Sequence, residues 1–477
     1  MRLAIIVSHP IQYYSPWFRH IAERMRHEAG GNRQEEGGNS EQHALRVFYL
    51  WDFGVAEKTD KKFGKAVKWD VDLLEGYDHE FVPNVSARPG TDWFGGLDNP
   101  GLLERMKAFD PDAVLQFGYN YKSLVNFDLR WNTRRAPLVF RGDSHLLAEG
   151  REESLQSSVF SFQLEKMKKW VRQVGLRLLL KRFACFLAVG KANADYFRAH
   201  GVPESKIVRC PHVVDNTFFL EEKKAGTRHE ATGNRGEGRG LREELGIPED
   251  ELVFLFAGKL EEKKQPMELL EAFLAADLPK ATLLFVGSGE LANVLQEHVR
   301  RSSQSSVVSS QHQSTEDRQL AAESCAAGGD RSPQRPTDTA NSRGNVVFLE
   351  FQNQSRMPDV YRTGDVLVLP SKGRYETWGL AVNEAACCGL PAIVSSHVGC
   401  GPDLIEDGVT GWIFEAGNVA ALQRALETAA ANRERLAAMG ETLKQRVTRK
   451  YSYQSATEAL LAGLGTLQAR GQGAGIR

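Results

Sequence analysis

The sequence predicts an α/β protein made of two doubly wound, Rossmann-like domains that face a central cleft. Short apolar segments alternate with segments of helical spacing, a rhythm typical of parallel βαβ units. The rhythm pauses once, in a polar, glycine-rich run from Glu221 to Gly240, and then restarts. The chain has 477 residues, 42% of them apolar, which is enough for two cores of this kind.

The first half of the chain, residues 1–215, predicts one such domain. Its short apolar segments are predicted strands at residues 3–8, 46–50, 113–117, 137–140 and 185–189. Segments of helical spacing run from Pro16 to Arg26, Gly101 to Phe109 and Phe162 to Phe183. A stretch near residues 28–43 has almost no apolar side chains, so we expect a disordered surface insertion there.

Residues 216–450 repeat the pattern and predict a second domain. Its predicted strands are residues 252–257, 282–286, 346–349, 366–369 and 391–395. Residues 302–343 are rich in Ser, Gln, Gly, Arg and Asp, and we expect this second insertion to be disordered because it is too polar to pack. An aromatic break at Tyr451 precedes residues 451–477, which we expect to form a C-terminal helix that packs back toward the first domain.

Charge and cysteine content argue against several classes of protein. The 60 Lys and Arg residues balance 61 Asp and Glu, which is unlike a nucleic-acid-binding protein that works through overall basicity. The six cysteines show no CxxC spacing, so free thiols in a reducing compartment are favoured over disulfides or a metal site. The N-terminus begins a strand at once, and no apolar run reaches the roughly 18 residues of a membrane span. We therefore expect a cytoplasmic protein that needs no metal.

The segment 162–183 is both basic and apolar and leaves two interpretations open. Seven Lys and Arg residues interleave with Met167, Trp170, Val171 and several leucines. A basic amphipathic helix can lie on an anionic membrane surface, which predicts peripheral contact with the inner face of the membrane. The alternative is a helix that faces the core and leaves its basic side in solvent. The regular βαβ rhythm favours this second interpretation.

The stretch from Gly373 to Ser395 holds two carboxylates, Glu376 and Glu384, around the start of a helix. The first backbone N–H groups of that helix, near Gly379 and Leu380, have no intrahelical partner and favour an anion such as phosphate. A carboxylate one turn further along, at Glu384, can accept two hydrogen bonds from a vicinal diol. Phosphate and ribose together predict a site for a nucleoside diphosphate.

Two lysines follow the predicted strand 252–257 and supply cations for the same site. Gly258 and Lys259 come directly after the strand, and Lys264 follows a few residues later. Ligands bind at the carboxyl ends of strands in open α/β sheets. Two lysines there can neutralise a diphosphate without a metal, although such a charge cluster is often only solvated. The next predicted strand ends in a Gly-x-Gly turn at Gly287, where the backbone can approach a base or a phosphate.

Polar side chains also follow two predicted strands of the first domain. His9, Gln12 and Tyr13 come after the first strand, and Asp143 and His145 follow residues 137–140. The first group predicts an acceptor pocket. Asp143 and His145 can orient or deprotonate a hydroxyl, although such a pair is more often structural.

Four motifs in residues 250–455 resemble the retaining, metal-independent glycosyltransferases of the GT-B fold, family 4, also called group 1. They are Gly258-Lys259-Leu260 with Lys264, Val286-Gly287-Ser288-Gly289-Glu290, Glu376 with Glu384, and Gly401-Pro402-Asp403-Leu404-Ile405-Glu406-Asp407-Gly408 with Gly411. The resemblance is weaker before residue 215. There the loop around His9 lacks the paired glycines of the family.

The resemblance implies a role for each residue of the second domain's site. Lys259 and Lys264 would grip the donor diphosphate, Gly379 and Leu380 would offer it backbone N–H groups, and Gly258 and Gly287 would line the donor pocket. Glu384 would hold the ribose, and Glu376 would face hydroxyls of the transferred sugar. The family usually has arginine where this chain has Lys259, which keeps the charge but not the bidentate fork.

For the first domain, the resemblance implies that His145 lies near the reacting sugar, whereas the residue pattern itself assigns His9, Gln12, Tyr13 and Asp143 to the acceptor side. The co-substrate would be a UDP- or GDP-sugar, with no cofactor. The acceptor would be a glycan or a lipid-linked molecule, in the synthesis of a polysaccharide or glycolipid. Two alternatives remain at this point, namely a GT-B-fold sugar-nucleotide 2-epimerase and a nucleotide-sugar-binding protein whose catalysis has lapsed.

Overall fold

A computed structural model describes most of the chain. The described residues are 1–30, 44–55, 58–60, 65–67, 69–148, 159–221, 236–302, 344–373 and 375–473. Residues 31–43 and 303–343, which make up most of the two predicted insertions, lie outside these ranges. The predicted limits of both insertions need a small correction, because residues 28–30 and residue 302 still belong to helices.

The first domain is built on a sheet of seven parallel strands in the spatial order β5-β2-β1-β6-β7-β8-β9. A separate two-stranded hairpin is formed by β3 and β4. The strands are β1 (Arg2–Val7), β2 (Ala44–Tyr49), β3 (Lys58–Asp60), β4 (Lys65–Val67), β5 (Asp78–Phe81), β6 (Ala113–Phe117), β7 (Leu138–Gly142), β8 (Phe183–Ala188) and β9 (Ile207–Arg209).

The second domain is built on a sheet of six parallel strands in the order β12-β11-β10-β13-β14-β15. They are β10 (Leu252–Ala257), β11 (Ala281–Val286), β12 (Asn345–Leu349), β13 (Val366–Leu369), β14 (Ala392–Ser395) and β15 (Gly411–Phe414). In each sheet the chain runs outward in one direction, returns to the centre and continues in the other direction. This strand order is the doubly wound one, and it confirms the predicted fold class.

Helices connect the strands and cover both sheets. They are α1 (Ser15–Gly30), α2 (Leu102–Phe109), α3 (Lys122–Arg130), α4 (Val159–Leu180), α5 (Lys191–Ala199), α6 (Asn216–Leu220), α7 (Gly236–Glu244), α8 (Pro266–Ala276), α9 (292–302), α10 (Met357–Thr363), α11 (Leu380–Cys387), α12 (Gly401–Leu404), α13 (Val419–Ala431), α14 (Leu436–Lys450) and α15 (Tyr453–Gly473).

Each central strand sends alternate side chains to opposite faces of its sheet, and both faces are buried. On β1, Ala4 and Ile6 enter one apolar cluster, whereas Leu3, Ile5 and Val7 enter another. A strand buried on both faces reads as a continuous apolar run. This is why the central strands could be located from the sequence.

Five strands escaped the sequence prediction because they lack such a run. Of these, β5 has the sequence Asp-His-Glu-Phe, β9 has three residues, and β15 begins with a glycine. The other two form the hairpin of β3 and β4, with three residues each. Apart from this hairpin, the missed strands pair at or near the edges of their sheets, where burial is least demanding.

The C-terminal helix α15 packs on the first domain although it follows the second in sequence. The indole Nε1 of Trp17 in α1 donates a hydrogen bond to the hydroxyl of Thr457, 3.0 Å away and fully buried. Ala456, Leu460 and Leu464 join the core on that face of the first sheet. The chain therefore crosses between the domains twice.

Helix α4 differs in part from the interpretation favoured by the βαβ rhythm. Leu180 is buried, and Leu176 and Leu179 pack against the core, but Met167, Trp170, Val171 and Leu178 are exposed. The helix therefore does face the core through its last turns, as that interpretation expects, but some of its apolar side chains are solvated along with its basic ones. Within the described ranges, no helix has the length and apolar character needed to cross a membrane.

Candidate active site

The predicted donor residues meet at the switch point of the second sheet. Strands β10 and β13 are neighbours there, and the chain leaves them in opposite directions. The loop after β10 carries Lys259 and Lys264, and the loop after β13 carries Ser371 and Glu376. Such a crevice at the carboxyl ends of the strands is where doubly wound domains bind ligands.

Lys264 and Glu376 form an ion pair across this crevice. The Lys264 Nζ donates to Glu376 Oε2, and the Ser371 hydroxyl donates to the same oxygen over 2.9 Å. The two charged side chains are 21% and 13% exposed, so the pair is mostly shielded from water. A pair at this depth interacts more strongly than one on the open surface. A ligand that carries its own phosphate charge would compete with Glu376 for the ammonium.

Gly379 sets the start of α11, and only glycine fits there. Its φ is +98°, in the left-handed region that favours glycine. A Cβ at this position would also lie 2.9 Å from Val398 Cγ1 and 3.0 Å from Leu369 Cδ2. The helix can therefore begin at Leu380 directly after the Glu376 loop. Its first N–H groups, which have no intrahelical acceptor, favour an anion at this end of the helix.

Glu384 lies one turn further along α11 and is held by a tyrosine. The Tyr361 hydroxyl donates to Glu384 Oε2 over 2.6 Å. Burial raises the pKa of Glu384 to about 7, and hydrogen bonds from Tyr361 and Gln354 offset part of that rise. The carboxyl group is thus poised to change its charge near neutral pH.

Two glycines let the loops after β10 and β11 run in contact. A Cβ on Gly287 would lie 1.9 Å from the carbonyl oxygen of Gly258, and Gly287 has φ +144°. The Gly258 N–H bonds to the Val286 carbonyl, and the Leu260 N–H bonds to the Ser288 carbonyl. Gly258 and Gly287 therefore fix the path of the loop that carries Lys259. Their predicted contact with a donor remains a prediction.

His145 and Asp143 reach across the cleft to the loop that carries Glu376. The Leu147 N–H donates to His145 Nδ1 over 3.2 Å, so Nε2 carries the proton and donates to the Glu376 carbonyl oxygen, also 3.2 Å away. The Thr377 hydroxyl donates to Asp143 Oδ2 over 2.6 Å. His145 is only 4% exposed. In this structure both residues hold the Glu376 loop from the opposite domain.

Tyr13 lies within the field of three carboxylates. Burial raises the pKa of its phenol, and the charges of Asp143, Glu384 and Glu376 raise it further. Its ring meets His212 edge to face, with centroids 5.6 Å apart. The phenol of Tyr13 therefore lies beside His212 and near the carboxylates of the cleft.

The remaining predicted acceptor residues lie around Tyr13. His9 packs against Trp51 and Phe53, with centroids 5.9 Å and 5.5 Å apart. Gln12 precedes Tyr13 in the same loop and is partly buried. The structure brings Tyr13, Asp143 and His145 to the donor loops. It places His9 in an aromatic cluster on the first domain.

Sequence reasoning missed several residues that shape the site. Arg141 is 1% exposed, and it donates to the carbonyl oxygens of Cys210 and Pro211, which begin the link between the domains. Its guanidinium also stacks 4.6 Å from the Trp17 ring centroid. Ser371 and Thr377 were overlooked, although both follow the carboxyl end of β13, where doubly wound domains bind ligands.

A second interdomain contact involves Asp403 of the glycine-rich motif. Its carboxylate is fully buried and accepts from the Lys191 N–H over 2.8 Å and from the Arg209 guanidinium. On the opposite rim, Asp70 accepts from the N–H and the hydroxyl of Ser355. The two domains are thus joined on both sides of the crevice.

Comparison with known proteins places these features in a family context. Residues 239–446 match the sequence model of the family described as glycosyl transferases group 1. The D-inositol 3-phosphate glycosyltransferases of Mycobacterium bovis and Mycobacterium tuberculosis are 26% identical over 234 residues, which are 48% of this chain. The chain spans 40% of the length of these curated relatives.

Solved structures match nearly the whole chain. The match to the Anabaena protein HepE, solved in complex with UDP and glucose, covers 98% of this chain and 100% of the HepE chain. The two are 16% identical, with a TM-score of 0.59. Sucrose-phosphate synthase from Thermosynechococcus elongatus matches with the same coverage, identity and TM-score. The fold is GT-B. At this level of identity the structural likeness shows the fold, and the family match shows that residues 239–446 are similar in sequence to the group 1 glycosyl transferases.

Proposed function

We propose that this protein is a glycosyltransferase that moves a sugar from a nucleotide-diphosphate sugar to a hydroxyl acceptor, with retention of anomeric configuration and without a metal. One observation carries the proposal. Lys264, Glu376 and the start of α11 meet at the switch point of the domain that matches the group 1 glycosyl transferases. A cation and unpaired N–H groups suit a diphosphate, and a neighbouring carboxylate suits sugar hydroxyls.

The chemistry follows from where charge develops. When the bond from the anomeric carbon to the diphosphate oxygen breaks, negative charge grows on the leaving diphosphate and positive charge on the sugar ring. Lys259, Lys264 and the N–H groups at the start of α11 stabilise the diphosphate. Preorganised donors of this kind are typically worth about 3–4 kcal/mol each. The leaving oxygen accepts the acceptor's proton on the same face, which accounts for retention without a separate base.

Once the diphosphate draws Lys264 away, Glu376 is released to accept from hydroxyls of the transferred sugar. Ser371 continues to orient its Oε2. Glu384 accepts from the ribose diol in its ionised form. His145 and Asp143 keep the Glu376 loop in register with the first domain.

The first domain takes the acceptor in this proposal. Tyr13 projects toward the donor carboxylates, and His9 and Gln12 line the same loop. In this proposal the donor is a UDP- or GDP-sugar, and the acceptor is a glycan or a lipid-linked molecule. The reaction belongs to polysaccharide or glycolipid synthesis and takes place on the cytoplasmic side. The relatives named above support a sugar-nucleotide donor, since HepE holds UDP and glucose.

The test is incubation of the full chain with radiolabelled UDP- and GDP-sugars and a panel of glycan and lipid-linked acceptors. Nucleotide release coupled to a labelled glycoside with the donor's anomeric configuration is the expected result. A changed sugar on an intact nucleotide would instead show the 2-epimerase. Binding without turnover would show the lapsed binding protein, and either outcome would overturn the proposal.

A further inference from the structure

Helix α4 presents an apolar stripe to solvent. Met167, Trp170, Val171 and Leu178 have exposed fractions of 57%, 64%, 57% and 58%. Their spacing, three, four and eleven residues from Met167, places them on one side of the helix. Single exposed apolar side chains are common on soluble proteins, but a row of four along one helix indicates a binding surface.

The helix is held to its domain by the opposite side. Leu176 and Leu179 pack partly buried against the core, and Leu180 is 3% exposed. Just beyond the helix, the Arg182 guanidinium donates to the Trp131 carbonyl over 2.6 Å. The domain therefore fixes the direction in which the stripe faces, which is away from its own core.

Cations lie beside the stripe on one side. Helical spacing puts Arg177 and Lys181 there, whereas Arg172 lies further round the helix, nearer the side of Leu179, and all three are exposed. In the part of the chain that the structure describes, neither Arg172 nor Lys181 forms an ion pair. The sequence of the helix adds Lys166, Lys168 and Lys169 and a single acidic residue, Glu165. The surface is strongly basic although the whole chain has a net charge of −1.

We propose that this stripe docks the protein on an anionic lipid bilayer, with α4 lying in the plane of the interface. An apolar row with an exposed tryptophan enters the boundary between headgroups and acyl chains, and the basic residues beside it attract anionic headgroups. A second copy of the chain fits less well, because pairing two stripes would bring two basic edges together. Charge complementarity therefore selects the bilayer.

Docking on a bilayer goes beyond the transfer reaction and does not depend on it. Its consequence does depend on the proposed function, because a docked first domain would meet acceptors that are embedded in the same bilayer. Binding is measured without substrate. A failure of docking is therefore distinguishable from a failure of the proposed transfer.

The experiment is cosedimentation of the full chain with vesicles of phosphatidylcholine alone and with vesicles that contain about one third phosphatidylglycerol. We expect binding to the anionic vesicles, and weakening in high salt. The double variant Val171→Ser with Leu178→Ser should reduce that binding by about tenfold or more, since both side chains lose their insertion into the bilayer. Arg177→Glu with Lys181→Glu should reduce it as well.

The matched control is Val85→Ser with Leu129→Ser, which removes two aliphatic side chains that are 61% and 64% exposed on the same domain. This control should bind as the wild type does. Equal binding to both kinds of vesicle, no binding to either, or equal loss in the control would overturn the proposal. A dimer in solution that Val171→Ser with Leu178→Ser dissociates would overturn it too, because the stripe would then be a contact between copies.

Discussion

At the scale of single residues, the contacts of the site converge on one oxygen of Glu376. Its Oε2 accepts from Lys264 and from Ser371, which stand on loops after two neighbouring strands. The carboxylate thus holds the ammonium in place before any phosphate arrives. In the proposed reaction, the diphosphate replaces Glu376 as the partner of Lys264. The ammonium then serves the diphosphate, and the carboxylate serves the sugar.

Lys264→Ala should lower kcat/KM for the donor by about 10²–10³-fold, since it removes a cation aimed at the leaving diphosphate. The free energy of unfolding should fall only modestly, because Glu376 loses its cation but keeps the hydrogen bond from Ser371. Lys263→Ala makes the same charge change in the same turn, at a lysine that pairs with Glu261. Steady-state kinetics should show near-normal turnover for this control. Comparable losses in the two variants would count against the assignment of Lys264.

The raised pKa of Glu384 predicts a dependence of donor binding on pH. The ribose diol donates to the ionised carboxylate, so KM for the donor should rise as the pH falls through about 7. Glu384→Gln should raise KM at least about tenfold at alkaline pH, where the wild-type carboxylate is ionised, and should abolish this dependence. Donor titrations between mildly acidic and mildly alkaline pH would show it. A pH-independent KM in the wild type would contradict the role of Glu384.

The buried carboxyl group of Glu384 should also lower the free energy of unfolding at alkaline pH. Its pKa rises from 4.5 in the unfolded chain to about 7 in the folded protein, so stability falls as the pH rises through that window. Thermal unfolding at about pH 8 should show Glu384→Gln more stable than the wild type, by up to about 3 kcal/mol, and the gain should vanish near pH 4. Asp128, whose burial also raises its pKa to about 7, provides a control. Asp128→Asn should share the gain in stability and leave KM for the donor unchanged. A loss of stability in Glu384→Gln at alkaline pH would contradict the argument.

At the scale of elements, the contact between the loops after β10 and β11 positions Lys259. Gly287→Ala forces a Cβ onto the Gly258 carbonyl at a positive φ, so the loops must separate. We expect a loss of about 2 kcal/mol or more in the free energy of unfolding and a several-fold rise in KM for the donor. Chemical denaturation and donor titration would measure both. Gly175→Ala, in α4, meets nothing within 4 Å, so it should leave KM unchanged and raise the free energy of unfolding by at most about 1 kcal/mol. An unaltered KM in Gly287→Ala would show that this contact does not position Lys259.

Elements with continuous apolar runs could be predicted, and so could the residues at their ends. The apolar run 252–257 was enough to locate β10. Because ligands bind at the carboxyl ends of strands in open α/β sheets, Lys259 and Lys264 could then be placed at the crevice. The short strands β5 and β9 could not be found, because nothing in four or three residues separates them from a loop. For α4, the period of the apolar residues could not tell a buried face from an exposed one, since both give the same spacing.

At the scale of the whole molecule, the site is completed by contacts that no local pattern encodes. His145 and Asp143 were predicted to meet the sugar and the acceptor, but their contact with the Glu376 loop depends on how the domains face each other. Arg141 anchors the link between the domains at Cys210 and Pro211, and no pattern in the sequence singles it out. Long-range pairs of this kind require the assembled fold.

The contact between Asp70 and Ser355 predicts an effect on closure of the crevice. Asp70→Ala removes the carboxylate that spans the rim, so KM for the donor should rise by about two- to fivefold, in keeping with an exposed contact. Asp72→Ala is the control, because Asp72 accepts from Leu74 and Glu75 in its own loop. Initial-rate kinetics on both variants would test this. A larger effect from Asp72 than from Asp70 would contradict a role of the rim in closure.

The central claim is that a nucleoside diphosphate binds where Lys264, Glu376 and α11 meet, and a crystal structure of the full chain with UDP or GDP tests it most directly. We predict the terminal phosphate within hydrogen-bonding distance of Lys264 and of the first N–H groups of α11. The ribose diol should lie on Glu384, and Glu376 should be separated from the lysine. A nucleotide bound elsewhere, with the pair of Lys264 and Glu376 intact, would contradict the account.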